Sequence, residues 1–405
     1  MNKKILLFFL LYTLHVTLYT CLAHTEIEFL PLASLQVLGG QYFFEKESAS
    51  FGGNIYLDII PALKFTDELS LVPTYSAGYR GTKNVTELVG GGTLTQQAMD
   101  HSLTLKFVNQ ITEDIKLKLK TGYKLELLKE TKDESWGNGL FDYEKIAAGI
   151  EGEKKINKKL DSLTGGYGFY KLKFKNYASL AEKEYGQELA GKIGKNVLDS
   201  NAHEVYLYSN FVFTPDLQAK GDYSFTYKDF FDQKVVTSSG DYSKDKRKDQ
   251  IHLLDLLVSY LQTYRERIRV VYALGLQTVV YQSNQNHYDA KNFKFVPNYY
   301  NYWEQGIKPE IVFYIGRLPY AVDFSYQFTY REYLERLTQD TNGNYLSNGG
   351  IHTNISTISL GISYPFGPKE FIGKISLRIQ ANYLISKSNM KYEKANYFLG
   401  INWEY

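Results

Sequence analysis

Apolar and polar residues alternate strictly over long stretches of this chain, and a period of two is the pattern of a half-buried strand. In Lys374–Ile385, Ile375, Leu377, Ile379, Ala381, Tyr383 and Ile385 alternate with Lys374, Ser376, Arg378, Gln380 and Asn382. In Ile115–Leu127, Ile115, Leu117, Leu119, Tyr123, Leu125 and Leu127 alternate with Lys116, Lys118, Lys120, Gly122, Lys124 and Glu126. Leu318–Arg331 repeats the pattern, with Phe324, Tyr326 and Phe328 on one side and Asp323, Ser325 and Gln327 on the other. These runs last about 12 to 14 residues, against about 5 or 6 for an ordinary globular strand. A tilted strand needs about 9–11 residues to cross a bilayer. The lengths therefore favour a membrane-spanning sheet over a soluble sandwich.

The whole chain yields about sixteen such strands (14–18), because element boundaries are the weakest part of a pattern reading. They centre near Leu38, Leu57, Tyr75, Leu105, Leu119, Ala147, Tyr170, Leu207, Tyr223, Leu257, Leu274, Ile307, Phe324, Leu360, Ile379 and Gly400. Short turns are expected at Thr66-Asp67-Glu68, Thr112-Glu113-Asp114, Thr214-Pro215-Asp216, Tyr264-Arg265-Glu266, Gly316-Arg317 and Gly367-Pro368-Lys369. Longer polar loops are expected near 82–100, 130–139, 178–200, 232–250, 283–298 and 335–352. Short turns on one rim and long loops on the other are the layout of a closed antiparallel transmembrane β-barrel, with short periplasmic turns and long extracellular loops. Closure is required because an open sheet edge does not survive in lipid.

Residues 1–23 have the form of an export signal. Lys3 and Lys4 precede the apolar run Ile5–Leu11, which is too short to span as a helix. Cys21-Leu22-Ala23 offers small residues for cleavage after Ala23; lipidation of Cys21 is the competing reading, disfavoured by Tyr19-Thr20 before it. The remainder, 24–405, is expected to be one barrel domain. Composition agrees: 36 Tyr and 24 Phe stand against 3 Met and 1 Cys, a bias toward strands. The single cysteine excludes a disulfide framework. A net charge of +2 offers no global basic field for nucleic acid.

The chain ends Leu399-Gly400-Ile401-Asn402-Trp403-Glu404-Tyr405, with Tyr397, Leu399, Ile401, Trp403 and Tyr405 on one face. This resembles the C-terminal strand of Gram-negative outer-membrane β-barrel proteins, which the barrel-assembly machinery reads as an insertion signal. Gly400, Trp403 and Tyr405 match the glycine and the two terminal apolar or aromatic positions. Leu399 departs from the polar residue usual there. Size and strand count make the resemblance porin-like, without a specific family. It implies a bacterial outer-membrane location, contact with membrane lipid and lipopolysaccharide, and either a homotrimeric or a monomeric state.

If the apolar set faces lipid, the polar set lines the lumen. The expected lumen-lining selectivity residues are Lys106, Lys116, Lys118, Lys120, Lys124, Lys171, Lys173, Lys175 and Arg378. Such a lysine ladder would concentrate anions in a narrow channel; the plainer alternative is that each lysine pairs with a neighbouring acid. Phe174-Lys175-Asn176-Tyr177, Tyr227-Lys228-Asp229-Phe230 and Tyr330-Arg331-Glu332-Tyr333 suggest an interfacial girdle whose bases reach lipid phosphates. Residues 178–200 carry apolar positions at near-helical spacing and would either narrow the mouth or lie on the rim. The run Lys244–Asp249 suggests a solvated loop, or a bridge to lipopolysaccharide phosphates. The histidines are scattered without metal spacing, and no Gly-x-Ser-x-Gly elbow is present. The expectation is therefore no enzyme, no metal and no cofactor. It is a channel for passive diffusion of small hydrophilic solutes, leaning to anions. The alternatives are a polysaccharide or lipoprotein export barrel, and a structural or adhesive barrel without conductance.

Overall fold

The computed structural model describes residues 27–44, 47–48, 52–86, 93–129, 134–157, 160–177, 196–264, 267–316, 320–339, 345–366, 374–388 and 392–405. Among them run sixteen wall strands: β1 Ala33–Phe44, β2 Gly52–Ile59, β3 Leu69–Thr86, β4 Thr93–Gln110, β5 Ile115–Lys129, β6 Tyr143–Lys155, β7 Leu160–Phe174 and β8 Ser200–Val212, then β9 Leu217–Val236, β10 Tyr242–Tyr264, β11 Ile268–Ser283, β12 Tyr302–Ile315, β13 Tyr320–Gln339, β14 Tyr345–Phe366, β15 Lys374–Ser388 and β16 Tyr392–Glu404. Each pairs antiparallel with its neighbour in sequence, and β16 returns to β1 with Leu38 opposite Gly400. The seam closes at the short-turn rim, where Ala33 and Tyr405 exchange backbone hydrogen bonds of 3.1 and 2.8 Å. Every centre expected from the alternation falls in a different strand.

The short turns share one construction. The hydroxyls of Thr66, Thr112 and Thr214 accept hydrogen bonds from the backbone N–H of Leu69, Ile115 and Leu217 at 3.0, 3.1 and 3.0 Å. A short hydroxyl side chain thus closes the reversal where backbone pairing stops. The turns at Arg265-Glu266, 317–319 and 367–373 lie outside the described residues.

The opposite rim departs from expectation. Much of 82–100, 232–250 and 335–352 is paired strand, since β3 and β4, β9 and β10, and β13 and β14 continue past the expected loop boundaries. Antiparallel hairpins satisfy their own backbone groups, so the ladder can extend into water without an apolar face. The β11–β12 connection carries a small hairpin, His287–Asp289 against Lys294–Val296. Residues 1–26, including the expected export signal, and residues 178–195 lie outside the described set.

Between the rims the two faces differ sharply. Val37, Leu103, Leu119, Ile146, Ile150, Val205, Leu254, Leu274, Phe324, Leu360, Ile379 and Ile401 are exposed on the outer face, as lipid-facing residues are in an isolated chain. The inner face carries Gln36, Asp58, Arg80, Asp100, Lys118, Glu151, Asp255, Gln277, Asp323 and Arg378, which bond mostly to one another. This is a closed antiparallel barrel of the transmembrane type.

Candidate functional site: the inner wall

On β5, alternation sends Lys116, Lys118, Lys120 and Lys124 to the inner face, with Leu119 and Tyr123 outward. Lys106 of β4 stands directly across from Lys120. The facing strand β6 supplies two acids: Glu153 binds the amine of Lys118 and lies 3.9 Å from Lys116, while Glu151 binds Lys120. Four amines thus surround two carboxylates. Lys106 makes no ion pair among the described residues, and the sector keeps a local excess of two positive charges. Toward the loop rim, Lys124 pairs with Glu126 at 2.7 Å, and Glu126 also accepts from the Tyr143 hydroxyl at 2.8 Å.

Glycine makes room for longer reaches along the wall. Gly166 of β7 sits between Glu151 and Tyr206 in one cross-strand row. The Tyr206 ring lies over it to donate to Glu151 at 3.0 Å, and a Cβ at Gly166 would collide with that ring. Gly361 of β14 plays the same part for Arg378, whose guanidinium crosses it to form a forked pair with Asp323 at 2.5 and 3.0 Å and takes Ser363 at 2.9 Å. The forked geometry spends this charge on a planar carboxylate partner. Arg378 is on the inner wall, but it ties strands together rather than standing free.

The structure corrects the other half of the expected ladder. Lys171, Lys173 and Lys175 project outward from β7: Lys171 faces the exposed Ile146 across the ladder and lies 4.9 Å from the Phe231 ring, and Lys175 pairs with Glu144. The inner positions of that segment belong to Tyr170, Leu172 and Phe174. The physical reason is a change of surroundings along the strand. Past the lipid boundary, water lies outside and a packed cluster lies inside the mouth, where Phe174 meets Ala98, Leu128, Phe141, Val197 and Leu198. The period of two persists, while the meaning of each face inverts.

The same inversion revises the girdle motif and the charge run. Lys228 and Arg331 point inward, Arg331 to Glu304 at 2.6 Å, so neither reaches lipid. Lys244–Asp249 is part of β10, not a loop: Lys246 and Lys248 are exposed while Arg247 and Asp249 are buried. Arg247 donates to Asp249 at 2.9 Å, to Tyr281 at 2.8 Å and to Gln233 at 3.3 Å, with its guanidinium 4.6 Å from the Phe230 ring and 4.5 Å from that of Tyr300. Tyr300 belongs to the β11–β12 connection, which therefore leans into the mouth. Its hairpin is held by Asp289, which accepts from Asn292, Tyr345 and Gln339 at 2.8, 2.9 and 3.0 Å. The bond from the Asn292 side chain first, then those from Tyr345 and from the backbone N–H of Asn292 and Lys291, hold the Asp289 carboxyl down at about 2. Sequence periodicity gave no sign of this strap.

The insertion-signal residues cluster at the seam. Gly400 sits on the inner face against the β1 backbone, where a Cβ would strike the Val37 carbonyl. The Trp403 and Tyr405 rings stack outward at 6.2 Å beside the short-turn rim.

No family model matches the chain, and no curated protein matches it. Among solved structures, OmpT of Vibrio cholerae in its trimer form is similar at 10% identity, over 94% of this chain and 100% of that one, with a TM-score of 0.47. A bacterial polysaccharide outer membrane secretin is similar at 11% identity, over 92% and 98%, with a TM-score of 0.45. OccD3 (OpdP) of Pseudomonas aeruginosa is similar at 9% identity, over 92% and 91%, with a TM-score of 0.43. These likenesses concern barrel architecture and bear on no residue of this chain.

Proposed function

We propose that this chain, exported through residues 1–23, forms an outer-membrane channel for passive diffusion of small hydrophilic solutes, with a preference for anions and no catalytic step. A barrel of sixteen strands leaves an aqueous lumen rather than a side-chain-filled core. The observation that carries the anion preference is the sector of Lys106, Lys116, Lys118 and Lys120 around only Glu151 and Glu153. A local excess of ammonium groups on a low-dielectric wall raises the concentration of counter-ions beside it.

The test is conductance of the refolded protein in a planar bilayer under a KCl gradient. The expected result is a stable open level with an anion-selective reversal potential. Replacing Lys106 and Lys116 by Gln, which leaves the Lys118 and Lys120 pairs in place, should move that potential toward cation selectivity. A cation-selective wild-type channel would discard the lysine sector as selector, and silence would discard the channel.

A further inference from the structure

Three tyrosine–histidine pairs on the outer face repeat one geometry. Tyr75 Oη lies 2.9 Å from His101 Nδ1 across β3 and β4, Tyr167 Oη 2.6 Å from His203 Nδ1 across β7 and β8, and Tyr223 Oη 2.9 Å from His252 Nδ1 across β9 and β10. In each, the tyrosine stands two positions nearer the short-turn rim than the residue opposite the histidine, which is Ala77, Phe169 or Phe225. The ring centroids are 6.3, 6.1 and 6.3 Å apart. Tyr330 and His352 on β13 and β14 keep this register and a 6.3 Å spacing, but the Tyr330 hydroxyl turns to Glu332 at 3.2 Å.

Toward the short-turn rim, the next outer-face residues after the histidines are Leu103, Val205 and Leu254, each exposed and apolar. Toward the loop rim the face turns polar at Asn201 and Gln250, with Lys171 directly across from Asn201, and on β4 at Gln97, one outer-face step past Met99. From the histidine to the short-turn end of its strand is 10 residues for His101 and His203 and 13 for His252, enough in each case for one bilayer crossing of about 9–11. The pairs therefore mark the boundary at which lipid headgroups begin.

We propose that these pairs are sites for the phosphate groups of outer-leaflet lipid headgroups. A phenol that donates to Nδ1 leaves the imidazole proton on Nε2 and fixes the ring's direction. Nε2–H then takes an acceptor at the headgroup level, where phosphate oxygens are the charged acceptors. Lys171 and Lys173, outward beside the Tyr167–His203 pair, add charge of the matching sign. An ordinary aromatic girdle needs neither an imidazole nor this bond. The proposal rests on the reading of the barrel as membrane-spanning.

The test uses the full chain, labelled with ¹⁵N-histidine, in dimyristoylphosphatidylglycerol bilayers, with ³¹P–¹⁵N dipolar dephasing read by solid-state NMR. Dephasing is expected at Nε2 of His101, His203 and His252, assigned by single His→Gln variants, and weaker at His352. Tyr75→Phe, Tyr167→Phe and Tyr223→Phe together keep the rings and should remove most of it. Protease protection of the wall strands reports insertion separately. An inserted barrel without dephasing at these nitrogens overturns the proposal and leaves the membrane reading intact; a barrel that does not insert overturns the membrane reading and the proposal with it. Equal dephasing in maltoside micelles with inorganic phosphate would make these free-phosphate sites and overturn the assignment to lipid.

Discussion

Two sectors of the inner wall hold their charges in different ways. On β5 and β6 the side chains of Lys116 and Lys120 remain 33% and 34% exposed, beside acids exposed only 19% and 3%. On β10 the pair Arg247–Asp249 is 7% and 1% exposed, and the strap residue Tyr300 covers the guanidinium. The lysine sector has more bases than acids and keeps them within reach of a passing solute. The arginine sector matches Arg247 to Asp249 and Arg331 to Glu304, then stacks rings on both. Arginine's planar fork suits that use, and lysine's single mobile ammonium suits the other. Charge on the inner wall is thus left in excess in one sector and matched for cohesion in the next.

The sharpest break of this contrast is Arg247→Leu. It strands Asp249 in a buried site beside Tyr281 and should cost about 3–5 kcal/mol, read as a lower thermal unfolding midpoint in detergent. Next comes Gly361→Val, which drives a branched side chain between Arg378 and Asp323. Overpacking of this kind costs about 1–3 kcal/mol and should also lower the midpoint. If either variant melts like the wild type, the paired arginines are not structural.

The lysine sector should respond the other way. Replacing Lys106 and Lys116 by Gln is expected to change stability by no more than about 0.5 kcal/mol, as for most surface substitutions, while shifting the reversal potential. Replacing Lys171, Lys173 and Lys175 by Gln should leave the reversal potential unchanged, because those amines face outward. An equal shift from both sets would erase the distinction between faces.

The smallest effect concerns the strap. Because the folded Asp289 carboxyl is held at about 2, below its ordinary range, its contribution is fully present above that range and is lost as pH falls toward 2. Pepsin should therefore spare residues 287–296 between pH 3 and 4 and begin to cut them near pH 2. Asp289→Asn should remove that pH dependence, and cleavage independent of pH in the wild type would dismiss the tether.

The strand order was legible because lipid on one side and water on the other impose period two over a full bilayer crossing. Ile115–Leu127 and Lys374–Ile385 show it plainly, and the inward placement of Lys116, Lys118, Lys120 and Arg378 follows from the same parity. Parity no longer tells which side is buried where strands leave the lipid. In Tyr170–Phe174 the apolar positions still alternate with lysines, but the buried side has become the interior of the mouth. Lys244–Asp249 departs from expectation for a related reason, since a charge run resembles a loop until a paired strand buries half of it.

The sequence by itself determined a barrel of about sixteen strands, the positions of the threonine turns and the inner face wherever lipid forces the choice, because each depends on residues close together in the chain. Only the tertiary structure decided which acid meets which base, that glycines at 166 and 361 open paths for Tyr206 and Arg378, and that the β11–β12 connection leans over Arg247. Those contacts join residues up to 55 positions apart. They are set by strand register and by the space that neighbouring strands leave, and neither quantity is carried by the period of the pattern.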